Sequence, residues 1–351
     1  MKERYEGIDG LKAYAILGIT LMHILANGDF GLNGFMFQKL IPSFTNLVFL
    51  FMTVSGFGMC CGYYQKFKDQ KISVGEFYAK RYSKIWPYYA LLCVLDFVIS
   101  PSKSALYEVF VNLTLCQGLL PNMNISIIGV SWTLAVIFVF YLLFPFFCFM
   151  LKNKKCAWRA FVCAIIYNFV CSAYFFDENH IADKAAVNFS ARTNILYCAV
   201  YFVTGGLVFL YQKELVEFAS KYKIITGAIL LIATVFYFTA GSSTLTLLFF
   251  CVAALIYALN CRTGRKLLAN PVTNFFGGIC FEIYLCHMVI YRMFEKLHLI
   301  HLFKNGLLAY IFTAVAVICG SVVFSVCAKW FLNKIEIFLK KIINNRRIKH
   351  V

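Results

Sequence analysis

Charge is what this chain has least of. Asp, Glu, Lys and Arg together make up 14% of its 351 residues, against about a quarter in soluble globular domains. With 61% hydrophobic residues and a mean hydropathy of +0.75, that shortage excludes an ordinary soluble protein. The length would suit two or three soluble domains, but membrane spans need roughly 20 apolar residues each, so it reads as one membrane unit. Metal-binding cysteine patterns are missing as well. The 15 cysteines lie scattered in apolar stretches without a C-x-x-C pair or a zinc-like Cys/His spacing, and read as small buried hydrophobes. Internal repeats, heptads and low-complexity stretches are absent. So is a cleavable leader: Asp9 and Lys12 interrupt the first apolar stretch and no A-x-A-like site follows, which predicts a retained first helix. No soluble domain is expected at either end.

What charge there is carries one sign. The formal net charge is +17, from 33 Lys and Arg against 16 Asp and Glu. A basic balance of this size attracts phosphates and could indicate nucleic acid. The cations, however, sit between apolar runs and in a tail (Lys340, Lys341, Arg346, Arg347, Lys349) directly after the last run, as expected beside anionic lipid. The expected partners are therefore membrane lipid and no nucleic acid. Apolar runs fall near residues 9–28, 44–64, 85–100, 129–151, 158–176, 195–211, 223–240, 243–260, 272–294 and 306–330. The positive-inside rule tests that count. With the amino terminus inside, inward segments hold 24 of the 33 cations and outward loops six: Lys39, Lys103, Lys184, Arg192, Lys296 and Lys304. The fold class predicted is all-α, a polytopic bundle of about ten transmembrane helices with both termini cytoplasmic. Its transmembrane domain would cover 1–335 and a basic cytoplasmic tail 336–351. Outward stretches 101–128 and 177–194 are long enough to fold over the outer face, and the second carries Asp177, Glu178 and Asp183.

Ionisable groups inside membrane helices are costly and are functional candidates by default. Here they are few: Lys12 and His23 in the first helix, Asp96 in the third, and Glu282, His287 and Arg292 in the ninth. Eleven steps of about 100° bring Lys12 and His23 to within about 20° of one face, roughly 16 Å apart along the axis. A cation at the inner mouth with a base deep inside suits an anionic donor arriving from the cytoplasm. The competing reading is a snorkelling lysine and a hydrogen-bonded core histidine. Glu282, His287 and Arg292 are five residues apart, about 140° per step, and should meet different partners. His287 lines a site or links helices, with Glu282 nearer the cytoplasm. A metal held by His23 and His287 is not expected, because no carboxylate or thiol completes the set. His298 and His301 read as solvated loop residues and Asp96 as interfacial.

The stretch from Arg4 to His23 (RYEGIDGLKAYAILGITLMH) resembles the opening of the acyltransferase-3 family of membrane O-acyltransferases, which carries D-G-L-R/K and, ten residues after the cation, a histidine. Further landmarks follow in order. F-M-T-V-S-G-F (Phe51 to Phe57) is similar to the family's F-F-V-L-S-G-F, and F-Y-A-K-R (Phe77 to Arg81) to its F-x-x-R-R. W-T-L at Trp132, F-Y-L-L-F-P (Phe140 to Pro145) and E-I-Y-L-C-H (Glu282 to His287) also fit, so the likeness runs from residue 4 to about 290. One departure is Ile137, where many members carry a glutamate.

The resemblance implies transfer of an acyl group, most simply acetyl from acetyl-CoA or another acyl-CoA, to a hydroxyl of a cell-envelope glycan or lipid-linked sugar, in the plasma membrane and with no bound cofactor. It implies His23 as the catalytic residue and Lys12, Ser55, Arg81, Trp132, Glu282 and His287 as donor- or substrate-binding residues. By residue type, Arg81 offers a planar fork for phosphate beside Lys80 and Lys84. Ser55 and Gly56 are a small pair suited to close helix packing as much as to a site. Two other functions fit such a chain. An exporter or flippase of a glycan or lipid-linked intermediate would show Gly- or Pro-broken helices in corresponding halves, a pattern not seen here. A membrane subunit that only scaffolds a polysaccharide synthase would bind no thioester.

Overall fold

A computed structural model of the chain describes residues 5–119, 127–175, 191–240, 243–260 and 267–348. It is 86% helical, and no strand occurs among the described residues. The helices that build the bundle are α1 (Glu6–Asn27), α2 (Leu47–Met59), α3 (Val74–Ile99), α4 (Lys103–Leu113), α5 (Trp132–Met150), α6 (Lys154–Val170), α7 (Ile195–Leu210), α8 (Gln212–Lys221), α9 (Lys223–Ala240), α10 (Thr244–Leu259), α11 (Pro271–Gly278), α12 (Cys280–Lys296) and α13 (Gly306–Ile348). Short helical turns extend α2 in both directions, so that Met36–Lys68 runs as one apolar rod.

Among the described residues, five helices are long and apolar enough to cross a membrane: Glu6–Asn27, Met36–Lys68, Gly129–Met150, Lys154–Ala173 and Gly306–Phe338. Counting each bent pair as one span gives seven, since α7–α8 turns by 73° and α11–α12 by 71°. The remaining three of the ten expected segments also lie on helices. Lys223–Thr239 and Thr244–Leu259 are apolar but short. α3 is 26 residues long, and Glu76, Lys80, Arg81, Lys84 and Asp96 dilute its hydropathy.

α1 is central. It packs against α2, α10, α11, α12 and α13, and 61% of its apolar window lies inside protein against 22% for Lys154–Ala173. Most side chains on α1, Ile16, Ile19 and Ile24 among them, are thus held in protein. The most extensive crossing joins α2 to α7 and depends on two glycines. A Cβ at Gly56 would lie 2.3 Å from the Phe202 carbonyl oxygen, and one at Gly205 would lie 2.1 Å from that of Thr53. Small residues let the two backbones meet, as membrane helices require where lipid supplies no hydrophobic drive between them. Gly56 is therefore a packing residue, while its neighbour Ser55 faces the site.

The two ends of the bundle differ. The end predicted to face the cytoplasm, called inner from here on and its opposite outer, carries the cation-rich turns with Lys66, Lys68 and Lys71 and with Lys152, Lys154 and Lys155, where Lys154 pairs with Glu214 at 2.5 Å. The outer end carries the ties between α12 and α3, Arg292 to Asp96 at 3.3 Å and Lys296 to Ser100 at 3.2 Å. The outward stretch after α3 goes into the bundle's flank instead of over its face. Trp86 donates from Nε1 to the Leu113 carbonyl at 3.0 Å, and the Tyr82 hydroxyl donates to the Thr114 carbonyl at 2.8 Å. α4, eleven residues long, thus descends about 16 Å along α3. Its turn-back is buried. Leu115 takes φ +58° with no exposure. Asn112 and Gln117 are enclosed, Asn112 accepting from the Tyr89 hydroxyl at 2.5 Å. Non-helical backbone at membrane depth is tolerated where protein covers it. The second outward stretch lies mostly outside the described residues, as do Asp177, Glu178 and Asp183.

Candidate active site

The site is organised by one face of the Met36–Lys68 rod that α2 anchors. Phe51, Ser55, Met59 and Tyr63 recur every four residues, a spacing that keeps side chains in one slowly drifting stripe. Each touches a residue of another helix. The Phe51 ring meets that of Tyr284 on α12 with centroids 6.0 Å apart. Ser55 Oγ and the Tyr141 hydroxyl on α5 are 3.3 Å apart. Met59 Sδ lies 3.6 Å from Arg81 Nη1, and the Tyr63 hydroxyl accepts from Arg81 Nη2 at 2.5 Å.

At the inner end of this stripe Arg81 is sandwiched. Its guanidinium carbon stands 4.7 Å from the Tyr63 ring centre and 5.7 Å from that of Tyr141, a cation–π arrangement that holds the fork flat. Its Nε is enclosed and has no hydrogen-bond partner. Lys84 stands ahead of the expected span 85–100. Burial and then the neighbouring charges of Arg81 and Lys12 pull its ammonium below the ordinary lysine value, with Glu282 and Tyr63 acting in the opposite sense. Lys12, Arg81 and Glu282 thus lie close enough to act on Lys84, although the four residues come from three helices. Lys12 shares its charge with Asp9 one turn earlier at 3.2 Å, and Glu282 is paired with Lys329 of α13 at 3.0 Å. Lys80 is exposed beside them.

At the outer end the contents change from cations to imidazoles. His23 of α1 and His287 of α12 face each other with ring centroids 5.3 Å apart and planes tilted by 43°. His23 is half-buried and His287 has no exposure. The Nδ1 atom of His287 lies 3.2 Å from the Ile283 carbonyl oxygen. A carbonyl can only accept, so Nδ1 carries the proton, and Nε2 is left as a bare acceptor. That Nε2 is buried without a partner. Tyr284 stands beside it, ring centroids 6.0 Å apart, and Thr133 Oγ1 lies 2.8 Å from the Tyr284 hydroxyl. Trp132, next in sequence to Thr133, is half-buried at the start of α5.

Lys12 and His23 thus lie in opposite halves of α1, on one face as the spacing requires. Glu282, His287 and Arg292 meet three different partners, Lys329, His23 and Asp96, as steps of five residues predict. His298 and His301 are exposed, the latter with its ring 5.9 Å from that of Phe30. Among the described residues no group of three or more His, Cys, Asp or Glu is placed to hold a metal ion. Sequence reading missed Tyr63, Tyr141, Tyr284 and Thr133. Two of these had a signal. Tyr63 continues the four-residue spacing begun on α2, and Tyr284 precedes His287 by one turn. Nothing local marks Tyr141 or Thr133, whose importance comes from contacts across 86 and 151 residues.

Neither the curated proteins nor the solved structures include a match to this chain. A family profile described as an acyltransferase domain matches residues 5–326, a range that includes every site residue named above except Lys329, the partner of Glu282. With more than nine-tenths of its length inside that match, the chain belongs to the acyltransferase-3 family and is a membrane acyltransferase.

Proposed function

We propose that this acyltransferase moves an acyl group, acetyl in the simplest case, from cytoplasmic acyl-CoA to a hydroxyl of an extracytoplasmic cell-envelope glycan or lipid-linked sugar, working in the plasma membrane with its amino terminus inside. One observation carries the reading. Two imidazoles meet near one end of a face whose other end gathers arginine and lysine, and a continuous stripe of α2 side chains joins them.

In this reading Arg81, Lys84 and Lys12 receive the phosphates of coenzyme A, Arg81 with its fork already flattened between two tyrosines. The thioester arm extends along Met59, Ser55 and Phe51, and the Ser55–Tyr141 pair offers hydroxyls to its amides. His23 takes the proton from the acceptor hydroxyl as the oxygen attacks the thioester carbonyl. The new C–O bond forms, the C–S bond breaks, and the departing thiolate takes the proton back from His23 to become the free thiol of coenzyme A, which restores the neutral imidazole. His287, fixed as its Nδ1–H tautomer, turns Nε2 toward His23 and steadies the imidazolium that forms. Contacts of this kind tighten when substrates bind. Trp132 and Thr133 border the outer approach for the acceptor.

The test uses full-length protein in sealed vesicles with labelled acyl-CoA on the side of the amino terminus. Label should appear in envelope glycan or lipid-linked sugar on the opposite side, and His23→Ala should lower transfer by about 10²–10⁴-fold, the usual contribution of a general base, without loss of inserted protein. Full transfer by His23→Ala, or movement of unmodified glycan without thioester consumption, would overturn it.

A further inference from the structure

The turn in which α4 ends has no part in the mechanism above, yet its construction is costly. Leu115 takes φ +58° while fully enclosed, a conformation that a residue with a Cβ keeps only where its surroundings impose it. Asn112, Gln117 and Ser131 are enclosed with it, none with more than 1% exposure, and polar side chains so placed need partners. They supply one another. Asn112 Oδ1 accepts from the Tyr89 hydroxyl at 2.5 Å, from Gln117 Nε2 at 3.4 Å and from Ser131 Oγ at 3.5 Å. The turn also presses on the start of α5. A Cβ at Gly118 would stand 2.8 Å from the Ala135 carbonyl oxygen, so the approach of the two backbones requires glycine there. What lies under this pressure is the anchor of Tyr284. The short helical turn Gly129–Ser131 leads directly into Trp132 and Thr133. Its Val130 carbonyl oxygen lies 3.2 Å from the Tyr284 hydroxyl and 3.1 Å from Thr133 Oγ1, and those two hydroxyls are 2.8 Å apart. The Tyr284 ring in turn stands against both His287 and Phe51. Residues 130–135 are therefore gripped by α4's turn through Ser131 and Ala135, and by α12 through Val130 and Thr133.

We propose that the turn from Asn112 to Leu119 is a wedge that sets the histidine pair, with Asn112 and Gly118 as positioning residues. The wedge fixes the Val130–Thr133 turn, that turn fixes the Tyr284 hydroxyl, and the Tyr284 ring holds His287 with Nε2 toward His23. Asn112 and Gly118 act through Tyr284 and touch no reacting atom. This deepens the acyltransferase reading and rests on it only for the effect on turnover.

The experiment uses full-length protein in nanodiscs and reads two signals. The first does not depend on turnover: the rate at which diethyl pyrocarbonate modifies each histidine, resolved by mass spectrometry of peptides. In the parent, His287 should react at least about tenfold more slowly than the exposed His298 and His301. Asn112→Ala and Gly118→Ala should each speed modification of His287 about tenfold, and Tyr284→Phe should do the same. Joining Asn112→Ala to Tyr284→Phe should add less than about twofold, because both act through one turn. Alkylation of the enclosed Cys198 and Cys251, on α7 and α10, should stay at the parent rate. The second signal is turnover, where Asn112→Ala should lower kcat about tenfold through misplacement of His287, with KM for acyl-CoA unaltered. Ser131→Ala deletes a single hydroxyl and should show both effects in smaller degree, which keeps the test decisive if the larger changes prevent folding. Continued protection of His287 in Asn112→Ala, Gly118→Ala and Ser131→Ala overturns the proposal. So does opening of Cys198 and Cys251 as far as His287, which would make the turn a prop of the whole fold, or a rise in KM for acyl-CoA with kcat unchanged. If the parent transfers no acyl group, the acyltransferase reading falls and the His287 rates still decide the wedge.

Discussion

The inner mouth and the outer histidine pair lie on one helix face and follow opposite rules. At the mouth, charge is dense and shared: Lys12 with Asp9, Glu282 with Lys329, Arg81 between two tyrosine rings. At the histidine pair, charge is withheld, and the one buried ring has a bare nitrogen with no partner. A place that receives and releases a large anionic donor benefits from many weak, screened contacts. A place that moves one proton needs an acceptor left unsatisfied until substrate arrives, because a nitrogen already bonded has no capacity to spare. The contrast separates holding from reacting along about 16 Å of α1.

The sharpest way to break this contrast is at His287. Replacement by Asn keeps a donor near Nδ1 for the Ile283 carbonyl and deletes Nε2. kcat should fall by about 100-fold, as misplacement of a reacting group does, while KM for acyl-CoA and the thermal midpoint stay close to the parent. His287→Gln, which puts an amide near the Nε2 position, should recover part of the rate. An unchanged kcat in His287→Asn would confine the chemistry to His23 alone. A smaller effect sharpens the other end. Arg81→Lys retains the charge but gives up the planar fork between the tyrosines, and should raise KM for acyl-CoA about tenfold with kcat nearly unaltered. A fall in kcat without change in KM would move Arg81 from the mouth to the reacting centre. The smallest effect belongs outside both regions. Arg292→Gln removes a half-exposed tie to Asp96 and should cost at most about 1 kcal/mol, read as a shift of a few degrees or less in thermal unfolding.

Much of the fold was legible because hydropathy and cation placement are local properties: every expected apolar segment lies on a helix, and α1 puts Lys12 and His23 on one face. The limits were physical. α3 carries charges that serve the mouth, so it reads as a poor span. α4 exposes Leu106, Tyr107 and Phe110 outward while hiding Asn112 and Gln117, and no periodicity reveals that a stretch between two spans is enclosed by Tyr89 and Ser131. Within the site, sequence spacing foretold that Glu282, His287 and Arg292 would find separate partners. It had no means of foretelling that the partner of His287 would be His23, since that meeting is decided by the crossing of α1 and α12 and by the 71° bend at Ile279.

The descent of α4 along α3 bears on how the chain is made. Its buried turn has polar atoms that lipid alone would not tolerate, and the cover for them comes partly from Ser131 and from α5, which leave the ribosome later. Translocation machinery reading hydropathy in order would therefore pass this stretch to the outer side, and its entry must await the helix that follows. Assembly then has a late docking step, with Tyr82 and Trp86 as the waiting receptors. Val111→Cys, at a position buried in the finished fold, should be open to aqueous labelling in nascent chains that stop before Met150 and closed to it once α5 has joined.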